Sequence, residues 1–219
     1  GMNAPMEQVI ANGIDTNQFH RDVKGAEGVR QALGIAGDIP LVGHVGRLAD
    51  AKDHSTLIAA FGIVAEKCPS CHFVCVGHGS EERRRSLEEQ ARNAGLADQL
   101  KWIPSYSNLS GLYSSLDMLV LSSSSEGFPN VVAEAMACET PCVVTNVGEA
   151  AHIIGNCGRL APPGDPEALA GSIRAMLDQP KAGVDARARI VEHFSIDRMI
   201  ETTEAMLETV IAAACRGSN

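Results

Sequence analysis

The sequence predicts a doubly wound α/β domain, a parallel sheet covered by helices on both faces. Three observations lead there. Short apolar runs alternate with longer amphipathic stretches between residues 41 and 178, the pattern of successive strand–helix–strand crossovers. The apolar runs are continuous rather than alternating, as strands buried on both faces require. The 219 residues are 45% apolar, enough for one substantial core with extra segments attached.

In chain order the strands fall at 41–46, 72–77, 100–103, 117–121 and 142–145, with a short one at 159–160. Each is an apolar run closed by a glycine or a polar residue. The intervening stretches 53–67, 80–94, 107–115, 130–138 and 166–178 mix apolar and charged residues as helices with one buried face do. Two segments stand outside this alternation. Val9-Ile10-Ala11-Asn12-Gly13-Ile14-Asp15 runs from an apolar pair into an Asn-Gly turn signal. In the tail, Ile196, Met199, Ile200, Thr203, Met206, Leu207, Val210 and Ile211 recur at helical spacing, a stripe that must cover something.

The chain carries 27 acidic and 18 basic residues, a formal charge of −9. That balance excludes non-specific binding to nucleic acid or to an anionic membrane surface, both of which need a basic field. Apolar runs fall well short of the roughly 20 residues that span a bilayer. The stretch GMNAPMEQVI lacks the basic and apolar regions of a signal peptide, and Gly1-Met2 reads as an expression remnant on an excised piece. Seven cysteines, an odd number, lie between positions 68 and 215, which fits free thiols in a reducing, cytoplasmic setting. Cys68-Pro69-Ser70-Cys71 has C-x-x-C spacing, with Cys75, His72 and His78 near it. No second pair completes a zinc site, and the motif precedes a strand instead of opening a helix, so structural thiols are expected and no metal.

Ligands of open parallel sheets bind beyond the carboxyl ends of the strands. After the first strand comes Gly43-His44-Val45-Gly46-Arg47-Leu48-Ala49-Asp50-Ala51-Lys52, in which Arg47 and Lys52 put a planar fork and a point charge at one strand end. That pair suits a diphosphate, or is simply two solvated cations on a surface loop. Val76-Gly77-His78-Gly79 holds two glycines of a dinucleotide fingerprint, but Glu82 stands where the third belongs and the motif follows the second strand. A tight turn with some close ligand approach is the better reading. The most informative stretch is SSSSEGFPNVVAEAMACETP, 122–141. Glu126-Gly127 follows a strand, Pro129 leads into a helix that Asn130 is placed to cap, and the peptide N–H groups at 127–131 face the crevice as an anion site. Glu134, eight positions after Glu126, puts a second carboxylate near the same ligand-sized volume, able to accept from vicinal sugar hydroxyls.

These residues resemble the retaining glycosyltransferases of family 4, with the GT-B architecture. Glu126 to Glu134 matches the E-x₇-E element, and Val9–Asp15, Gly46-Arg47-Leu48 with Lys52, Val76-Gly77-His78-Gly79, Ala135-Met136-Ala137-Cys138 and Ala161-Pro162-Pro163-Gly164-Asp165 follow in the family's order from about residue 8 to 195. The resemblance implies a Rossmann-like sheet forming the C-terminal, donor-binding half of a two-domain enzyme. Residues 1–20 become a hinge-side segment, and a helix at about 196–215 packs on the N-terminal acceptor domain that this sequence lacks. It implies that Arg47 and Lys52 contact the donor phosphates, and that Glu126 with Gly127, Phe128, Pro129, Asn130 and Val131 faces the transferred sugar and diphosphate. Glu134 would hold the ribose, and Gly46, Gly77, Gly79 and Ile103 would border the donor, the last near the base. The implied substrate is a UDP- or GDP-linked hexose, carried to a glycan or lipid-linked acceptor with retention, without bound metal or cofactor. The implied setting is polysaccharide synthesis at the inner face of the membrane.

Four positions depart from the pattern. Glu139 stands where a glycine normally ends the helix, Glu149 replaces a second glycine, His152 a glutamate and His78 an aspartate. The departures either alter donor preference or are neutral. A sugar-nucleotide-binding module without catalysis, another GT-B enzyme such as a nucleotide-sugar epimerase, and a nicotinamide oxidoreductase are the competing readings, the last weakened by the missing third glycine.

Overall fold

The computed structural model describes residues 9–180 and 183–216. Gly1-Met2 and most of the N-terminal stretch weighed as a signal peptide lie outside the described residues. Six strands, β1 (Leu41–Val45), β2 (His72–Val76), β3 (Leu100–Ile103), β4 (Met118–Leu121), β5 (Cys142–Thr145) and β6 (Arg159–Ala161), form one sheet. Its order is β3-β2-β1-β4-β5-β6, and every adjacent pair is parallel. This is the Rossmann order, with the chain reversing direction across the sheet between β1 and β4.

Both faces are covered, as the continuous apolar runs predict. On one side, α2 (His54–Lys67), α3 (Glu81–Asn93) and α7 (Pro166–Asp178) bury Leu57, Phe61, Leu87 and Ile173 against Val42, Phe73, Met118 and Val120. Phe61 stacks on Phe73 with ring centroids 4.3 Å apart. On the other, α4 (Leu109–Ser115), α5 (Asn130–Ala137), α6 (Ala150–Ile154) and α8 (Gly183–Phe194) bury Leu112, Met136, Ile153 and Ile190 against Leu41, Val74, Leu119 and Val144. Alternate strand residues therefore feed opposite cores, each buried side chain contributing about 1.5–3 kcal/mol of apolar transfer.

Three helices were not anticipated from the sequence. The helix α1 (Val23–Leu33) buries only Val29 and is defined mainly by its ends, Asp22 accepting from Gly25 N and Gly34 closing it at φ 70. The short α6 has barely more than a turn, too little to show a period. In α8, Ala186, Ile190 and Phe194 are the buried positions, spaced four apart but hidden among charged neighbours. The tail helix is present as α9 (Ile196–Arg216). Its inner face is partly used within this chain: Gly13 N donates to Met199 Sδ at 3.2 Å. Ile200, Leu207, Val210 and Ile211 remain exposed.

The lead-in segment is pinned where α8 meets α9. Ile14 N donates to Phe194 O at 2.8 Å and Ile196 N to Ile14 O at 3.0 Å, and Ile14 and Ser195 form a parallel bridge. Arg187 on α8 reinforces this, donating to the carbonyls of Phe19 at 3.0 Å, Thr16 at 3.1 Å and Ala137 at 2.5 Å.

The departure at Glu139 shows directly in the backbone. Thr140 N donates to Ala135 O and Glu139 N to Met136 O, each at 3.0 Å, a Schellman ending of α5 with Glu139 in the left-handed position at φ 64. A side chain there is strained, and its contact with Arg21 is a long 3.7 Å. Glu139→Gly is therefore expected to stabilise the fold by about 0.5–1 kcal/mol, read as a higher urea midpoint at unchanged slope.

Candidate active site at the carboxyl edge of the sheet

The loops after β1 and β4 leave neighbouring strands toward opposite faces, so a crevice opens between them. Both loops carry residues singled out by the sequence. After β1 the chain makes a 3-10 turn, Asp50–Lys52, and closes it with Asp53 in a left-handed conformation. The Asp53 carboxylate then caps α2, accepting from Thr56 N at 3.2 Å and Thr56 Oγ1 at 2.7 Å. This turn aims Lys52 across the crevice. Lys52 Nζ donates to Glu126 Oε1 at 2.5 Å, with the side chains 18% and 13% exposed.

The serine run is what holds the two loops together. Ser122 Oγ donates to Lys52 O at 2.7 Å, Ser124 N to Ala51 O at 2.9 Å, and Ser123 Oγ to Glu126 Oε1 at 2.6 Å. Each of these three serines has an acceptor. From the third side, Glu149 N donates to Gly127 O at 2.9 Å, and a Cβ at Gly148 (φ 50) would strike the carbonyls of Glu126 and Gly127. Glu149 itself sits at φ −84, so the missing glycine there costs no backbone strain. Glu126 is thus fixed by one cation, one hydroxyl and a clamped backbone. Arg47 is exposed, and its side chain has no partner among the described residues.

The start of α5 differs from the expectation in one respect. Pro129, not Asn130, is the cap residue, and no side chain bonds the first turn. Asn130 is already helical, and its Oδ1 accepts from Asn12 Nδ2 at 3.1 Å, a link to the lead-in segment. Helices α1, α2, α3, α4 and α7 each have a side-chain cap. In α5 the amides of Gly127, Phe128, Asn130 and Val131 have no acceptor among the described residues, leaving the positive helix end open to an anion. The Phe128 ring turns away and packs on Phe194 at 5.8 Å, so this loop offers the crevice backbone rather than an aromatic face.

Gly77 and Gly79 serve loop packing. A Cβ at Gly77 would run into the Gly46 carbonyl, and one at Gly79 would press on Leu48 Cβ. Gly46 N donates to Val76 O and Leu48 N to His78 O, both at 2.9 Å, and Gly77 N reaches Ile103 O at 2.9 Å. The close approach in the structure is between the two loops, and it sets the path of the Arg47–Lys52 segment.

The two carboxylates have separate surroundings. Glu134, half-buried in α5, accepts from Tyr113 Oη at 2.7 Å through Oε2. It lines a cleft of about 340 Å³ with Asn12, Asp15, Asn130 and Met199, and Glu126 is not among the lining residues. Burial pushes the Glu134 carboxyl above the usual range, and the phenol pulls it back.

Beneath the crevice lies a feature with no sequence signal, two buried histidines edge to face at 4.8 Å, His44 on β1 and His54 at the start of α2. His44 Nδ1 bonds the Val120 carbonyl at 3.0 Å and must be the protonated nitrogen. Its Nε2 and both nitrogens of His54 have no partner among the described residues. Burial lowers the two pKa values to about 4 and about 3. The described cysteines are free. Burial lifts Cys71 to about 12 and Cys138 to about 11, which makes them packing residues, not reactive thiolates. Among the described residues no group of three His, Cys, Asp or Glu is placed to hold a metal ion, and no helix is long and apolar enough to cross a membrane.

The family model for glycosyl transferases group 1 matches residues 26–193, which takes in every strand and both crevice loops. The chain belongs to this family. Its sheet is the Rossmann-like domain of GT-B glycosyltransferases. Among curated group 1 relatives, the D-inositol 3-phosphate glycosyltransferase of Corynebacterium urealyticum is 31% identical over 179 residues, 77% of this chain and 42% of that one. HepE of Anabaena, solved with UDP bound, superposes with a TM-score of 0.84 at 27% identity, covering 92% of this chain and 57% of HepE. Sucrose-phosphate synthase of Thermosynechococcus elongatus gives 0.82 at 27% identity, covering 94% of this chain and 53% of that one. The chain thus spans about half the length of each of these three proteins.

Proposed function

We propose that this chain is the C-terminal, donor-binding half of a family 4 retaining glycosyltransferase, which takes a hexose from a UDP- or GDP-linked donor. The observation that carries the reading is the Lys52–Glu126 ion pair beside the uncapped start of α5, at the switch point of the sheet. The diphosphate lies against the free amides of α5, with Arg47 swinging in from solvent and Lys52 shared between Glu126 and a phosphate oxygen. As the glycosidic bond breaks, negative charge grows on the leaving diphosphate, and the two cations and the helix end stabilise it there. They supply this charge without a resident metal. Glu126, held by Lys52 and Ser123, faces the sugar, and Glu134 accepts from the ribose hydroxyls. The acceptor enters from an N-terminal half outside this sequence, on the cytoplasmic side of the membrane, and the exposed stripe of α9 packs toward that half. The UDP complex of HepE, a protein of the same fold, supports a nucleotide as the ligand.

Thermal melting with UDP, GDP, ADP and CMP, each with and without magnesium, tests the proposal. At ten times the dissociation constant a ligand adds about 1.4 kcal/mol, roughly 3–6 °C at this size. A magnesium-independent shift with one diphosphate is expected, and Lys52→Ala should weaken that nucleotide by about 1.5–3 kcal/mol. No shift with any of the four rules out a donor site complete in this chain.

A further inference from the structure

We infer that Tyr113 is a positioning residue of the nucleotide site, its phenol holding the Glu134 carboxylate in the orientation that receives the ribose. The inference rests on the role given to Glu134 in the proposed function. Tyr113 is fully buried in α4, its ring tilted against Phe19 at a centroid distance of 6.3 Å. Its own carbonyl accepts from Thr140 Oγ1 at 2.7 Å, so ring and backbone are both fixed. Among the described residues the hydroxyl makes one hydrogen bond, to Glu134 Oε2 at 2.7 Å.

The chemistry of that bond has one direction. A buried phenol keeps its proton, and a carboxylate only accepts, so Tyr113 donates. A neutral core tyrosine would be satisfied by any backbone carbonyl. Here the acceptor is a half-buried carboxylate on the cleft wall, whose Oε1 has no partner among the described residues. Each carboxylate oxygen has about two acceptor sites, so Oε2 serves the phenol and still receives one hydroxyl while Oε1 receives its neighbour. Three side-chain torsions of Glu134 are thereby fixed before the nucleotide arrives, lowering the ordering cost of binding. Burial pushes the carboxyl upward, and the phenol's hydrogen bond works against that push. Phenylalanine would fill the same core volume and do neither.

The test titrates wild type, Tyr113→Phe, Glu134→Gln and the double variant with the diphosphate selected by melting and with its 2′,3′-dideoxy counterpart. Tyr113→Phe is expected to weaken the ribonucleotide about 3–10-fold, to leave the dideoxy nucleotide within twofold, and to have little further effect in the Glu134→Gln background. An unchanged ribonucleotide affinity, or an equal loss for both ligands, overturns the inference while leaving the proposed function standing. If Glu134→Gln leaves the ribo-to-dideoxy ratio unchanged, the ribose assignment fails and takes the inference with it. A ligand-free readout covers a variant that does not fold. The chain has 2 tyrosines, and replacing both with 3-fluorotyrosine, a stronger donor of the same shape, should move the Glu134 carboxyl titration downward in NMR. An unmoved titration overturns the inference.

Discussion

Gly77→Ala is expected to destabilise the fold by about 3 kcal/mol or more, a fall of roughly 6–12 °C in melting temperature at this chain length. The new methyl meets the Gly46 carbonyl oxygen, a backbone atom tied in turn by the Gly46 N to Val76 O bond. Neither side can yield without parting β1 from β2 at their carboxyl ends. The displaced loop carries Arg47 and Lys52, so nucleotide affinity should fall along with stability. Gly127→Ala supplies the control, because a Cβ there meets nothing within 4 Å. Paired urea titrations decide the matter, and a Gly77→Ala variant within 1 kcal/mol of wild type would show that the two loops do not touch as described.

Acid should weaken the fold well before most carboxylates titrate. His44 and His54 are held to about 4 and about 3 by burial, His54 also by its neighbour His44, against an ordinary value near 6.5. Above pH 6.5 both are neutral folded or unfolded, and their contribution is fully present. Below it the unfolded chain takes up protons that the folded chain refuses, and each histidine costs about 1.4 kcal/mol per pH unit until its folded pKa is reached. The two together remove on the order of 5 kcal/mol between pH 6.5 and 4. His54→Leu should roughly halve this acid slope. Equal slopes in wild type and variant, from urea melts at stepped pH, would mean that the pair is solvated or protonated in the fold.

Much of this was legible in the sequence because strand and helix residues carry their own periodicity. The continuous runs around Leu41, Phe73, Leu119 and Val143 marked the sheet, and punctuation at Gly46, Lys52 and Glu126 marked the loops that meet at its carboxyl edge. What stayed hidden depends on contacts between distant residues. Tyr113 reads as an ordinary core aromatic until Glu134 is seen 2.7 Å away. The serine run reads as filler until Lys52 O and Ala51 O are found opposite it. His44 and His54 are ten positions apart in two different elements, and only the path of the loop between them brings their rings together. The capping role expected of Asn130 fails because α5 begins one residue early, with Pro129 as its cap, and the Asn130 side chain instead accepts from Asn12, 118 positions away in the chain.

The seam between Ile14 and Ser195 has a mechanical consequence. It joins two points separated by nearly the whole chain, so it closes only after the sheet is built, and should be among the first contacts to open in hydrogen exchange. The same seam brings the lead-in strand and the root of α9 to one spot. A load on either segment is therefore carried first by the two backbone hydrogen bonds at Ile14, while the sheet behind them stays unloaded.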